Sequence, residues 1–180
     1  ESLIRPILTS PETIAIGGTI RIRNGCTLEY NRVNPDTIPL SYVTSMQTIE
    51  YLRSFIMRQG WDYMGGNFVI SGAFSVFSTE LIKELGGYAP TVAEDLEIVL
   101  RINRALIAAG IPYKSAYMPD PVAWTEGPWT LKELAHQRYN WHRGTCESVW
   151  FNKCMFFNPK YKTYGLFVFP FLVLAEALEP

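Results

Sequence analysis

Cysteine is scarce: Cys26, Cys146 and Cys154 are three in 180 residues, an odd number in no CxxC or Cys/His ligand spacing. That argues against a disulfide framework or a zinc site and leads us to expect reduced thiols in a cytoplasmic setting. Positive charge is not in excess either. Sixteen Lys and Arg against seventeen Asp and Glu leave a net charge of -1, so no basic field marks the chain as a nucleic-acid binder. A bilayer-spanning helix needs roughly 20 mostly apolar residues, and the longest apolar run, GLFVFPFLVLAEAL, is interrupted by Pro170 and Glu176. The opening ESLIRPILTSPE has no signal-peptide pattern and reads as a helix already under way. No repeat or low-complexity segment occurs, and the length suits a single domain.

What is present is apolar and aromatic. The hydrophobic share is 48%, with 14% aromatics and 18% charged residues, at the apolar end for a globular domain. The excess gathers after Trp150, where Trp150, Phe151, Phe156, Phe157, Tyr161 and Tyr164 mingle with Lys153, Lys160 and Lys162 ahead of the apolar run. Aromatics and lysines leading into hydrocarbon are what a membrane-water interface selects. A C-terminal core helix is the alternative.

TIAIGGTIRIRNG alternates apolar and polar from Ile14 to Arg23 and predicts a strand, with Gly17 and Gly18 marking a bulge or a close backbone approach. Gly25 to Leu40 has no period and reads as a loop. Ser41 to Arg58 returns to helical spacing, with Val43, Met46, Ile49, Leu52, Phe55 and Ile56 on one stripe and Gly60 closing the helix. Phe68 to Ile70 reads as a buried strand, followed by the turn Ser71-Gly72-Ala73 and more strand. A short helix from Thr79 to Leu85 ends at Gly86. TVAEDLEIVLRINRALIAAG suggests a capping box, Thr91 as N-cap with Glu94 reaching back, and a stop at Gly110. Another strand runs from about Tyr113 to Met118, and a long helix from about Thr130 to Phe157. Strands alternating with helices predict an α/β sheet with ligands beyond the strand carboxyl ends.

Three groups of residues are candidates for chemistry. Asp95, with Glu94, sits at the start of a helix whose dipole favours an ionised carboxylate; such a group takes a proton from an alcohol within hydrogen-bond reach, although Glu94, Asp95 and Glu97 are also ordinary helix-start residues. Ser71, Gly72 and Ala73 form a side-chain-poor turn that admits a substrate close to the backbone, or simply packs tightly. In AHQRYNWHRG, Gln137 and Trp141 are four apart on one helix face, with Arg138 beside it and Arg143 further on. A guanidinium fork suits phosphate oxygens and an indole suits the C-H face of a sugar. Amphipathic packing, with Trp141 in the core, is the competing reading.

NFVISGAF, GGYAPTVAEDLE and PDPVAWTEGPWTLKELAHQRYNWHRG, in that order, resemble the membrane-embedded family 2 glycosyltransferases, the group containing cellulose, hyaluronan and poly-N-acetylglucosamine synthases. The resemblance runs over essentially the whole chain. It implies an incomplete glycosyltransferase-A fold, α/β with a mixed sheet, packed helices and a C-terminal amphipathic or membrane-facing segment. Residues 1–157 would be the acceptor-side part of that domain, and 158–180 a membrane-interface or truncated transmembrane segment. AED stands at the family's TED motif, which places the catalytic base on Asp95 beside Glu94. QRYNW stands at QxxRW and places Gln137 and Trp141 in the donor and acceptor pocket, with Ser71, Gly72 and Ala73 near the acceptor sugar. Asn140 replaces the motif's Arg, leaving Arg138 or Arg143 to meet a diphosphate.

The implied reaction is inverting transfer of a hexosyl or N-acetylhexosaminyl group from a nucleotide-diphosphate sugar to a glycan or lipid-linked acceptor, at the cytoplasmic side of the cell membrane. Mg²⁺ or Mn²⁺ is implied, with no metal ligands in this chain: the family's DxD carboxylates are expected before Glu1, and the 180 residues alone are expected to be inactive. Transfer of a single sugar to a small acceptor, or a degenerate membrane-docked interaction module, are the alternatives.

Overall fold

The alternating isoleucines fold as β1, Thr13–Ile22, in a computed structural model that describes residues 3–29, 32–34 and 41–178. β1 is the middle strand of three. It pairs antiparallel with β4, Ser75–Phe77, and parallel with β5, Lys114–Thr125, giving the order β4-β1-β5. Ala15 and Ile16 are buried accordingly, Ile16 completely. The paired glycines allow close approach: a Cβ on Gly17 would lie 2.8 Å from the Tyr117 ring, and one on Gly18 2.3 Å from the Phe74 ring. A register slip follows at once. Gly18 faces Met118 but Thr19 faces Val122, so Pro119, Asp120 and Pro121 are extruded from the ladder. The Thr19 hydroxyl reaches the carbonyls of Met118 and Pro119 at 3.2 and 2.8 Å. β5 resumes beyond this bulge, which is why it outruns the expected end at Met118.

The chain opens with a short α1, Arg5–Thr9. Within the segment read as a loop, β2 (Thr27–Glu29) and β3 (Arg32–Asn34) form an antiparallel hairpin; the rest of that loop, 30–31 and 35–40, lies outside the described residues. Phe68 to Ile70 does not join the sheet. Side chains take carbonyls that a ladder would use: Tyr117 donates to Val69 O at 2.6 Å, and Asn103 and Tyr164 donate to Asn67 O at 3.1 and 3.3 Å.

α2, Tyr42–Tyr63, runs straight through Gly60, whose cost in a helix interior is only about 1 kcal/mol. Of the expected inward stripe, Phe55 does pack on the core, against Tyr117 with ring centroids 6.2 Å apart; most of the rest turns outward. Thr44 and Gln47 are its buried residues, while Met46, Ile49, Leu52 and Ile56 are exposed. α3, Thr79–Glu84, is capped by Ser78 and followed by Gly86 and Gly87, both at positive φ. α4, Glu94–Ala109, stops at Gly110 in the left-handed region, as expected. Its start differs: Ala93 is the N-cap, without a side-chain bond, because the Thr91 hydroxyl is committed to Glu147 at 2.8 Å. α5, Leu131–Phe151, begins with a reciprocal capping box between Thr130 and Glu133.

α4 is the central pillar, with nearly every residue from Leu96 to Asn103 buried. One core lies between it and the sheet, formed by Ala15, Ile70, Ile98, Val99, Ile102 and Tyr117. The other gathers Phe68, Leu96, Leu100 and Met155 with Tyr161, Tyr164, Val168, Phe169 and Leu172. The C-terminal segment therefore packs one side into the protein, through α6 (Phe169–Leu172) and flanking π-helical turns. Its other side leaves Leu166, Phe167, Leu174 and Leu178 exposed. Among the described residues, no helix is long and apolar enough to cross a membrane.

Candidate functional site

The first turn of α4 carries Glu94, Asp95 and Glu97, where unpaired helix N–H groups favour negative charge. The Asp95 carboxylate is held from two directions. Its Oδ2 accepts from the Gly72 N–H at 2.9 Å and its Oδ1 from the Leu96 N–H at 2.8 Å. A Cβ on Gly72 would sit 3.2 Å from the Asp95 Cβ and 3.5 Å from Glu94 Oε1. The bare turn is thus what lets the carboxylates come so near. Ser71 O closes the turn by accepting from Phe74 N at 3.2 Å, and the Phe74 ring lies over Gly18 of β1. Ser71 is half-buried, whereas Gly72 and Ala73 are exposed. Tyr117 stands close by. Burial pushes its phenol up to about 12, with Arg58 pulling the other way and the Asp62 and Asp95 carboxylates adding to the rise.

α5 is pinned to the same loop at Gly144, where a Cβ would fall 2.5 Å from the Ala93 Cβ and 2.7 Å from its nitrogen. Ser148 Oγ donates to Ala93 O at 3.4 Å, and Thr91 and Arg143 both donate to Glu147, at 2.8 Å each. Those bonds, Thr91 first and then Arg143, hold the Glu147 carboxyl below its usual range. At 3.6 residues per turn, Gln137, Trp141, Gly144 and Ser148 share one helix face, with Gln137 about 10 Å along the axis from Gly144.

Further up that face the partners come from α2. Arg138 pairs with Glu50 at 2.5 Å and lies over the Trp141 ring at 4.6 Å. Trp141 also meets Tyr51, ring centroids 6.5 Å apart, and Gln47 donates to the same Glu50 oxygen at 2.9 Å. Among the described residues Gln137 Oε1 on α5 and Gln47 Oε1 on α2 are buried without a hydrogen-bond partner, unused acceptors where a donor or water is favoured. Asn140 meets His136 on its own helix at 3.3 Å, and His142 approaches Cys146 at 3.7 Å.

The predicted residues therefore fall into two groups. The turn Ser71-Gly72-Ala73 meets Glu94 and Asp95 through Gly72; Arg138 meets Glu50 and Trp141 meets Tyr51, with Gln137 on the same helix face as Trp141. Gly144 on Ala93 links the groups. No hydrogen bond, ion pair or ring contact among the described residues joins Asp95 directly to Gln137, Arg138 or Trp141. Arg143 belongs to the Thr91-Glu147 clamp.

The model of glycosyl transferase family group 2 matches residues 32–178. The chain belongs to that family. No curated protein matches it. As a glycosyltransferase domain it acts with a nucleotide-sugar donor and an acceptor. Among the described residues no three His, Cys, Asp or Glu converge in a group that could hold a metal ion.

Several residues of the candidate site carry little signal in the sequence. Glu50 and Tyr51 lie on a helix whose dominant period is apolar, although Gln47, Glu50 and Tyr51 stand at helical spacing. Thr91 and Glu147 are 56 positions apart in the chain, and no local pattern relates them. Gly144, a glycine inside an otherwise regular helix, was the legible signal of close approach.

Proposed function

We propose that this glycosyltransferase transfers a hexosyl or N-acetylhexosaminyl group, with inversion, from a nucleotide-diphosphate sugar to a hydroxyl of a growing glycan at a membrane surface. Asp95 is the base. The acceptor O–H gives its proton to the carboxylate as its oxygen forms a bond to the anomeric carbon, and the bond to the diphosphate breaks on the opposite face, the electron pair leaving with the phosphate oxygen. The observation that carries the reading is the bond between Asp95 Oδ2 and the Gly72 N–H at 2.9 Å, which holds an ionisable carboxylate beside a turn open to an incoming sugar. Gln137 and Trp141 line the sugar pocket, and Arg138, exchanging Glu50 for the ligand, meets the diphosphate in the place Asn140 cannot fill. Mg²⁺ or Mn²⁺ would supply further charge neutralisation at the departing diphosphate. Exposed Trp150, Phe151, Phe157 and Phe167 favour the membrane setting.

Replacing Asp95 by Asn in the full-length protein tests the base. General-base catalysis contributes roughly 10²- to 10⁴-fold, so radiolabelled sugar transfer should drop by at least about a hundredfold with donor affinity retained. Undiminished transfer removes Asp95 from the mechanism. Absence of transfer by the unmutated protein across a panel of nucleotide sugars favours an interaction module instead.

A further inference from the structure

Past the last residue of β1, the chain builds a second polar surface that the reaction at Asp95 does not use. A cleft of about 200 Å³ opens between Arg23, Cys26 and Val33 on one side and Glu126 and Trp129 on the other. Its walls are fixed. Arg23 N donates to Thr125 O at 2.9 Å, and Asn24, almost wholly buried, exchanges two bonds with the Gly127 backbone at 2.9 and 2.7 Å. Trp129 is anchored through its own N–H to Glu133 at 2.9 Å, yet its side chain stands out, 53% exposed. Arg23 Nε and Nη2 both donate to one oxygen of Glu126, at 3.2 and 2.6 Å. The second carboxylate oxygen and the remaining guanidinium N–H groups keep their hydrogen-bonding capacity.

The chemistry of these groups selects a ligand class. Paired, Arg23 and Glu126 form a neutral unit whose remaining donors and acceptors suit an uncharged polar ligand. Together they set acceptors beside donors, the pattern that adjacent hydroxyls of a sugar require. An exposed indole adds an apolar plate for the C–H face of the ring. The volume lies below the roughly 300–1,000 Å³ of pockets for drug-sized ligands and suits one ring. The cleft also lies on the carboxyl side of the parallel pair β1-β5, where α/β folds gather ligands. Arg23 is five residues past Gly18, about 17 Å along an extended strand, and Gly18 is where Phe74 of the Asp95 turn rests. That separation is several sugar units.

We propose that the Arg23-Glu126-Trp129 cleft is a distal subsite for a neutral pyranose unit of the acceptor glycan. Its assignment to the acceptor rests on the glycosyl-transfer reading; the binding of a sugar there does not. The test is saturation-transfer NMR on the full-length protein with cellotetraose and chitotetraose, comparing wild type, Trp129→Ala, Trp129→Phe and Glu126→Ala, with thermal melting to confirm folding. At least one tetrasaccharide should bind wild type, weaken about tenfold or more in Trp129→Ala and Glu126→Ala, and stay within about threefold in Trp129→Phe, which keeps the aromatic plate. Inorganic phosphate should not displace it. Unchanged binding in both truncated variants, absence of binding of either tetrasaccharide to wild type, or displacement by phosphate overturns the proposal. Sugar binding that depends on Trp129, alongside transfer that survives Asp95→Asn, refutes the base and leaves the subsite standing.

Discussion

Gly144 is where a single hydrogen atom in place of a methyl group decides the geometry of the site. A side chain there would strike Ala93 at 2.5 Å and its backbone nitrogen at 2.7 Å, two residues before Asp95. Gly144→Ala gains about 0.8–1 kcal/mol of helix propensity, but overpacking against backbone costs roughly 1–3 kcal/mol, and backbone cannot swing aside as a flexible side chain can. We expect a lower melting temperature and a fall in transfer rate larger than the stability loss explains, measured by calorimetry and steady-state kinetics. Burial sets the other extreme. Phe169 has no exposed surface and belongs to the core of Leu96, Leu100 and Met155, so Phe169→Ala should cost about 3–5 kcal/mol in denaturant unfolding. A loss below about 1 kcal/mol would mean that the C-terminal segment leaves that core in solution.

At the scale of elements, α2 and α5 meet through the pair Glu50-Arg138, with side chains 30% and 37% exposed. A double-mutant cycle with Glu50→Gln and Arg138→Lys should give a coupling of about 1 kcal/mol, between the values of exposed and buried pairs. Glu50→Gln alone should change the KM for the nucleotide sugar more than kcat, because it releases the guanidinium without touching the base. The clamp between α5 and the loop before α4 answers to pH. Glu147 titrates below its ordinary 4.5 in the folded chain, so its stabilisation is complete above that value and disappears as pH falls through the lower, folded one. Glu147→Gln should therefore flatten the fall in melting temperature on the acid side of pH 4.5, with little difference in slope near neutrality. How much of this was legible follows the same physics. β1 and the stop of α4 at Gly110 are local patterns, and the fold has both; the family that the motifs resemble is the one whose model matches residues 32–178. The face that α2 turns inward is not local: periodicity finds the stripe of Met46, Ile49 and Ile56 but not the side on which it lies, and the positions buried are Thr44 and Gln47, with Phe55 against Tyr117 of the sheet. The Thr91 cap failed for a related reason, since a hydroxyl suited to its own helix found a carboxylate on another.

For the whole molecule, α4 ties everything together, with the sheet on one side and the C-terminal turns on the other, and its own first turn carries Asp95. Arg101 secures that end: it pairs with Glu97 at 3.0 Å and donates to the carbonyls of Leu85 and Gly87 at 2.7 and 2.6 Å. The two predicted sugar-facing regions sit at different heights on the same parallel pair of strands, separated by the extruded Pro119-Asp120-Pro121. That slip works as an expansion joint. Length added or removed there is absorbed outside the ladder, so the half of β5 carrying Tyr117 and the half leading to Glu126 need not shift together, and variation in what is gripped far from the reacting carbon can accumulate while the carboxylate stays put.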